Sequence, residues 1–340
     1  MKSVVAVVII VIPISLKRRE QSMLKLEAWR DNRIDALVEL WNQEIGNDFP
    51  MRKELFKQNS FKDENICKQA SAIAVDDNDH VVGFIVAKRY QENLDVGINK
   101  KIGWIQVLLV KQGQRNQGIG STLLANAEAQ LKKAGVNQIL LGRDPWHYFP
   151  GIPMEMEETK AWFERKGYKN NGTEHDMIRK YRINDEIENP NIDGAEWSIL
   201  ELGDKELFLE FLHRCFPGRW EYEAIHYFQQ GGTGREFAIL KKEQKIIAFC
   251  RINDAESNII AQNVYWAPLF QDKLGGVGPL GVDEKERGQR YGLAVVEAGI
   301  YFLRRRGISR IVIDWTGLVA FYNKLGYDIW KTYAAYKKEM

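Results

Sequence analysis

The chain has 340 residues, 45% of them hydrophobic and 28% charged, enough apolar material for two ordinary domains of roughly 150–170 residues. Its 48 cations and 46 anions are spread along the chain for a net charge of +2. That balance excludes the basic bias or stripe of a nucleic-acid binder. Three scattered cysteines, Cys67, Cys215 and Cys250, lack metal-ligand spacing and read as reduced, buried thiols of a cytoplasmic protein.

Val4–Ile12 is continuously apolar, with Lys2 before it and Lys17-Arg18-Arg19 after it. It is shorter than the ~20 residues of a membrane span, and no A-x-A cleavage site follows. Residues 1–22 are therefore read as an extension ahead of the folded chain, with a membrane anchor or a cleaved signal as the alternatives. Met23-Leu24-Lys25-Leu26 suits a first strand. A helix is expected over Ile34–Glu44 and a weaker one over Arg52–Gln58. Strands Ala72–Val75 and Val81–Lys88 turn at D-D-N-D. Strand Ile102–Val110 then leads through R-N-Q-G-I-G-S (115–121) into a helix over Ser121–Ala134, followed by strand Gln138–Leu141. A short helix near Thr159–Lys166 ends at Gly167, and strand-like sequence runs on through Tyr181.

The second half repeats this order. Trp197–Leu202 reads as a strand, Glu206–Cys215 and Glu221–Gln229 as helices, and Phe237–Leu240 and Ile246–Arg251 as a strand pair. Strand 278–282, loop R-G-Q-R-Y-G (287–292), helix Leu293–Arg306, strand Ile311–Asp314 and helix Leu318–Leu325 complete it. Val110 aligns with Val282, Arg115 with Arg287, Gly120 with Gly292 and Gly135 with Gly307, a constant offset of 172. Gly167 aligns with Gly326 at 159, so the first half carries 13 extra residues, around D-P-W-H-Y-F-P-G-I-P (144–153). A duplication explains this register. It gives a first domain over 23–183, a polar linker at 184–194 and a second domain over 195–340.

A strand feeding a glycine loop and then a helix aims backbone N–H groups and the positive end of the helix dipole at one point, an anion site. The loop lacks the G-K-[ST] ending of a Walker loop. It has two glycines of a dinucleotide fingerprint, Gly118 and Gly120, but Leu123 fills the third place. With Val110, Arg115, Gly118 and Gly120 so spaced, it resembles the acyl-CoA loop of the GNAT (Gcn5-related) N-acetyltransferases, [QR]-x-x-G-x-[GA]. F-Y-N-K-L-G-Y (321–327) is similar to that family's closing helix. The resemblance covers nearly all of residues 23–340 as two tandem copies.

The resemblance implies two α/β domains, each a mixed, mostly antiparallel sheet with flanking helices and a splayed central strand pair. It implies acetyl-CoA as co-substrate, no metal, and transfer of acetyl to a primary amine of a small molecule by direct attack, without nucleic-acid or membrane partners beyond the possible anchor. Carried over, Leu108 and Val110 main chain would hold pantetheine, and the amides of Gln117, Gly118, Ile119, Gly120 and Ser121 the pyrophosphate, with Arg115 beside them. The second copy would use Val282, Arg287, Gly288 and Gly292. The family's usual acid, a tyrosine four residues before the closing glycine, is Tyr322 in the second copy and Phe163 in the first. Conversely, Arg290 replaces Gly118 in the second loop, pointing outward or filling the site.

Three arrangements follow. The first copy turns over, with His147 or Tyr148 as acid and Asp144 serving the base; or the second does, with Tyr322; or neither does, and the protein binds acyl-CoA. The stiff 144–153 loop is alternatively a cap on the core, with His147 an exposed histidine that titrates in the useful range. Trp315 and Trp330 read as core aromatics, and Arg304-Arg305-Arg306 as a solvated helix end.

Overall fold

A computed structural model describes residues 24–182, 185–187, 190, 192 and 194–340. The apolar segment before residue 24, and the rest of the expected linker, lie outside the described residues. The first half runs β1 (Lys25–Ala28), α1 (Ile34–Ile45), α2 (Lys53–Ser60), β2 (Ala72–Val75), β3 (Val81–Arg89), β4 (Ile102–Val110), α3 (Ile119–Lys133), β5 (Gln138–Leu141), β6 (Ile152–Pro153), α4 (Glu157–Arg165) and β7 (Lys169–Lys180). The second runs β8 (Glu196–Ile199), α5 (Lys205–Cys215), α6 (Arg219–Gln229), β9 (Phe237–Lys242), β10 (Lys245–Asn253), β11 (Leu274–Val282), α7 (Tyr291–Arg305), β12 (Arg310–Thr316), α8 (Val319–Asn323) and β13 (Asp328–Glu339).

Local chemistry accounts for these elements. Ile34, Leu37, Leu40 and Trp41 recur at helical spacing and form the buried face of α1. The Asp76 carboxylate accepts from the amides of Asn78 and His80, which closes the β2–β3 turn with Asp79 left-handed. β3 is apolar along most of its length because helices cover both faces of the sheet.

The strands form one continuous sheet in the order β1-β2-β3-β4-β5-β13-β7-β12-β11-β10-β9-β8, with β6 paired to β13. Its centre departs from a pair of self-contained repeats. β7, from the first half, is antiparallel to β12, with Met177 opposite Ile313. β13, from the second, is antiparallel to β5, with Lys337 opposite Leu140. The two exchanged strands pair along their length at the middle. Each half's last strand therefore lies in the other half's sheet, and the cores are shared as well. Tyr265 and Trp266 pack with Trp41, Phe49 and Phe149, while Tyr90, Trp104 and Trp146 pack with Phe208, Tyr222 and Phe249. Each buried aromatic side chain contributes about 1.5–3 kcal/mol, so the halves stabilise one another.

Both halves open their sheet at the same place. β4 and β5 run parallel only from Ile102 to Ile105, and the last contact is Gly142 N donating to Ile105 O at 2.8 Å. β11 and β12 pair only from Leu274 to Gly276. Opposite β3 the register skips Gln106, and opposite β10 it skips Gly278 and Pro279. Beyond these bulges each strand continues to its glycine loop without a partner on the open side. No helix among the described residues is long and apolar enough to cross a membrane.

Candidate functional site

The two loops adopt the same path with different residues. Asn116 and Gly118 are left-handed in the first (φ +61 and +87), and Gly288 and Arg290 in the second (φ +89 and +62). Arg290 thus keeps the glycine's backbone conformation at a steric cost, and its side chain is exposed. In α3 the first helical bond runs from Thr122 N to Gly118 O, which leaves the amides from Gln117 to Ser121 without backbone partners. In α7 the first is Leu293 N to Arg290 O, which frees Tyr291 and Gly292. Leu108 and Val110, and Val282 in the second copy, lie on the splayed strand ends leading to these cradles. Arg115 folds back, Nε donating to Val110 O at 3.0 Å and Nη2 pairing with Glu44. Arg287 makes the same turn onto Val282 O at 3.4 Å, but among the described residues neither it nor Arg290 has an ion-pair partner. A Cβ added at Gly120 would meet Trp162 and Val110 at 3.6 Å, whereas at Gly292 it would meet only Val282, at 3.8 Å. The second cradle is therefore the roomier and the more cationic one.

The ends of the two splays differ more. In the first half the place is filled. Lys88 Nζ lies 2.6 Å from Asp144 Oδ2 and 2.7 Å from Asp63 Oδ2, with all three side chains inaccessible. Burial raises the Asp144 pKa and outweighs Lys88, which pulls it down. Burial pulls the Lys88 ammonium down, yet the two carboxylates hold it above its usual value. The bulged Gln106 donates to Trp146 O at 2.9 Å and accepts from Ser60 Oγ at 2.9 Å, and Ser60 also bonds Tyr148 Oη at 2.7 Å. Tyr148 is buried between Trp41 and Phe56. His147 is buried rather than exposed: the aromatic loop folds under the sheet, and Nδ1 bonds Asp144 O at 2.9 Å. That carbonyl only accepts, so Nδ1 carries the proton. Burial, then Arg219, pushes the His147 pKa well down, so it stays neutral. Phe163, at the tyrosine position, is core.

In the second half Gly278 takes the place of Gln106, Asn253 that of Lys88 and Thr316 that of Asp144. A Cβ added at Gly278 would have one neighbour within 4 Å, Asp314 Oδ1 at 3.9 Å. Burial raises the Asp314 pKa, against the lowering pull of Arg219. Tyr322 is buried, edge-on to Phe321 at 4.9 Å. Burial first, then Cys250 and Asp314, pushes its hydroxyl well above the usual value, so it is a protonated donor at neutral pH. Behind this point Arg251 Nη1 pairs with Glu223 at 3.0 Å. Trp315, expected in the core, is half-buried and left-handed (φ +44). Arg304 and Arg306 are likewise not simply solvated: Arg306 pairs with Asp254 at 3.2 Å and Arg304 donates to Arg182 O at 3.1 Å.

Sequence reasoning singled out the two loops and Tyr322, and it passed over Asp63, Lys88, Gln106, Arg219 and Asp314. A lysine inside V-V-G-F-I-V-A-K was a visible signal, because an ammonium in a buried strand needs carboxylates nearby. Asp314 lies in β12 at the place where the first half has Gly142, just past β5, so nothing in the repeat pointed to it.

Two splays in one sheet, each leading through a strand and glycine loop to a helix start, define a tandem acyltransferase-type fold. The acetyltransferase (GNAT) family model matches residues 33–149 and 205–327, and the chain belongs to that family; GNAT proteins use acetyl-CoA as co-substrate. No curated protein sequence matches the chain. Among solved structures it resembles the GCN5-related glucosamine N-acetyltransferase region of a fungal multi-domain GH3 β-N-acetylglucosaminidase (TM-score 0.83, 23% identity), covering 96% of this chain and 39% of that one. It also resembles a GCN5-related N-acetyltransferase from Sphaerobacter thermophilus (0.69, 15%; 93% and 95% covered). A third is a tandem GNAT protein from the clavulanic acid biosynthesis pathway (0.62, 14%; 93% and 98%). At these identities the likeness is one of fold. Among the described residues no cluster of His, Cys, Asp or Glu is arranged to hold a metal.

Proposed function

We propose that the protein is an acyl-CoA-dependent N-acyltransferase that moves acetyl from acetyl-CoA to a primary amine of a small molecule, with turnover in the second half. The observation that carries the second-half assignment is the contrast between the two splays. Gln106, Lys88, Asp144 and Tyr148 fill the first, whereas Gly278 leaves open space beside Asp314 in the second. The guanidiniums at 287 and 290, which have no ion-pair partner among the described residues, and the free amides of α7 suit a pyrophosphate.

The chemistry follows from the residues at the opening. Asp314, the carboxylate nearest Gly278, takes the proton from the attacking ammonium, a step its raised pKa favours. The amine nitrogen bonds the thioester carbonyl carbon and the C–S bond breaks. Tyr322 then supplies a proton to the departing thiolate, the nitrogen gives up its second proton to solvent as the amide forms, and solvent reprotonates Tyr322. In this reading the first half holds the shared sheet, and its cradle is at most a binding site. The fungal region named above is a glucosamine N-acetyltransferase, so amino sugars belong beside amino acids among the acceptors to try. The test is thiol release from acetyl-CoA with a panel of small primary amines. Amine-dependent release supports an enzyme, whereas CoA binding without release with any amine supports an acyl-CoA-binding protein instead.

A further inference from the structure

The chain just past β5 and the C-terminal end of β12 face each other where the halves meet. Arg143 and Trp315 occupy equivalent places in the repeat, and both are left-handed (φ +69 and +44). The Arg143 guanidinium lies 5.4 Å from the Trp315 ring centre, and Arg219, the first residue of α6, lies over the same indole at 4.4 Å. His147 meets it edge-on at 4.7 Å. The exchanged strand holds this residue in its strained conformation, because Asp176 accepts from Trp315 N at 3.0 Å and from Tyr333 Oη at 2.7 Å. The indole is therefore fixed from both halves, and it adjoins Asp314 beside the open side of Gly278.

The two guanidiniums have donors to spare. Arg219 touches Glu223 at 3.5 Å and Arg143 touches Glu174 at 3.7 Å, and the two arginine side chains remain 22% and 21% exposed. Among the described residues neither makes a side-chain hydrogen bond, although each guanidinium carries five N–H groups. From the transfer point outward the lining is thus a carboxylate, an indole and two half-exposed guanidiniums. That order matches an amine whose carbon skeleton also bears a carboxylate.

We propose that the acceptor is an amino carboxylate, seated between the halves with its amine at Asp314, its carbon chain against Trp315 and its carboxylate on Arg219 and Arg143. This rests on the transfer reading above. A carboxylate uses the guanidinium fork in a bidentate way. A neutral polyol amine would offer the spare N–H groups of both forks no anion and gain less from them.

The test compares an amino acid, its amide and an amino sugar as acceptors, read as kcat/KM by thiol release from acetyl-CoA. The amino acid should be preferred over its amide about 10- to 100-fold, the range of a charge-assisted pair. Arg219→Ala should erase that preference through KM, Arg143→Ala should reduce it, and Arg219→Lys should keep part of it as a point charge. Unchanged urea midpoints would show that the variants are folded, and the two arginines lie on separate elements. Turnover of the amide or the amino sugar equal to that of the amino acid, indifferent to Arg219→Ala, overturns the subsite and leaves the transfer reading standing. If no amine turns over, the transfer reading fails, and calorimetry of the CoA-loaded protein with the amino acid decides the subsite. Binding that Arg219→Ala abolishes supports it, and absence of binding overturns it.

Discussion

Replacing Lys88 by methionine separates a structural from a catalytic role for the first half's splay. The ammonium sits 2.6 and 2.7 Å from two carboxylates that are as inaccessible as it is, and Asp144 Oδ1 already lacks a partner. Breaking a buried pair on one side leaves uncompensated charge at a cost of about 3–5 kcal/mol. Unfolding in urea at pH 8 should show that loss, with a melting point lower by roughly 6–20 °C at ~2–4 °C per kcal/mol. The deficit should shrink toward pH 5. Without Lys88 the folded-state pKa of Asp144, already raised by burial, rises further above the unfolded value, so the protonated, favourable form persists in acid and is lost as pH rises. Adding Asp63→Asn and Asp144→Asn should restore much of the stability, because no charge is then left buried. Activity per folded molecule should stay within about threefold, since 1.4 kcal/mol is a tenfold change and no transition-state contact is lost. A loss below about 1 kcal/mol, or intact stability with collapsed turnover, would refute the argument and assign the lysine to the reaction.

Three further outcomes follow. Tyr322→Phe should lower kcat by about 10- to 100-fold with KM for both substrates unchanged, the low end for a general acid because a thiolate leaves readily; unchanged kcat removes the tyrosine from the chemistry. Asp176 is held at a pKa of about 7 by burial, against the lowering hydrogen bond from Tyr333. Its folded value lies above the unfolded one, so the stability tied to its protonated form is present below pH 4 and fades as pH rises through 7. Asp176→Asn should flatten that decline in urea titrations between pH 4 and 8, and an unaltered slope counts against it. Arg290→Gly should relieve the left-handed strain and raise stability by up to about 1 kcal/mol, while weakening CoA binding several-fold through the lost cation.

The repeat, the element order and both cradles were legible because a 172-residue register survives through strand, loop and helix. The strand exchange was not. Lys169–Lys180 and Asp328–Glu339 keep the same place in each repeat whichever sheet they join, so their partners follow from packing alone. The 144–153 loop misled in one respect. Loop position suggested an exposed His147, and only the shared core shows why the ring is buried. Trp315 failed in the opposite direction, because a tryptophan at a strand end reads as core until its positive φ and flanking arginines are seen. Arg290 shows the limit of a motif: the αL conformation is retained without the glycine.

The central claim, that transfer occurs in the second half, is tested most directly by paired loop variants, Gly292→Trp and Gly118→Trp, each assayed for CoA affinity and for amine-dependent thiol release. A tryptophan at 292 occupies the space now bordered only by Val282 at 3.8 Å and should abolish turnover, while Gly118→Trp should leave turnover intact. Turnover lost with Gly118→Trp and retained with Gly292→Trp would place the chemistry in the first half and contradict the account.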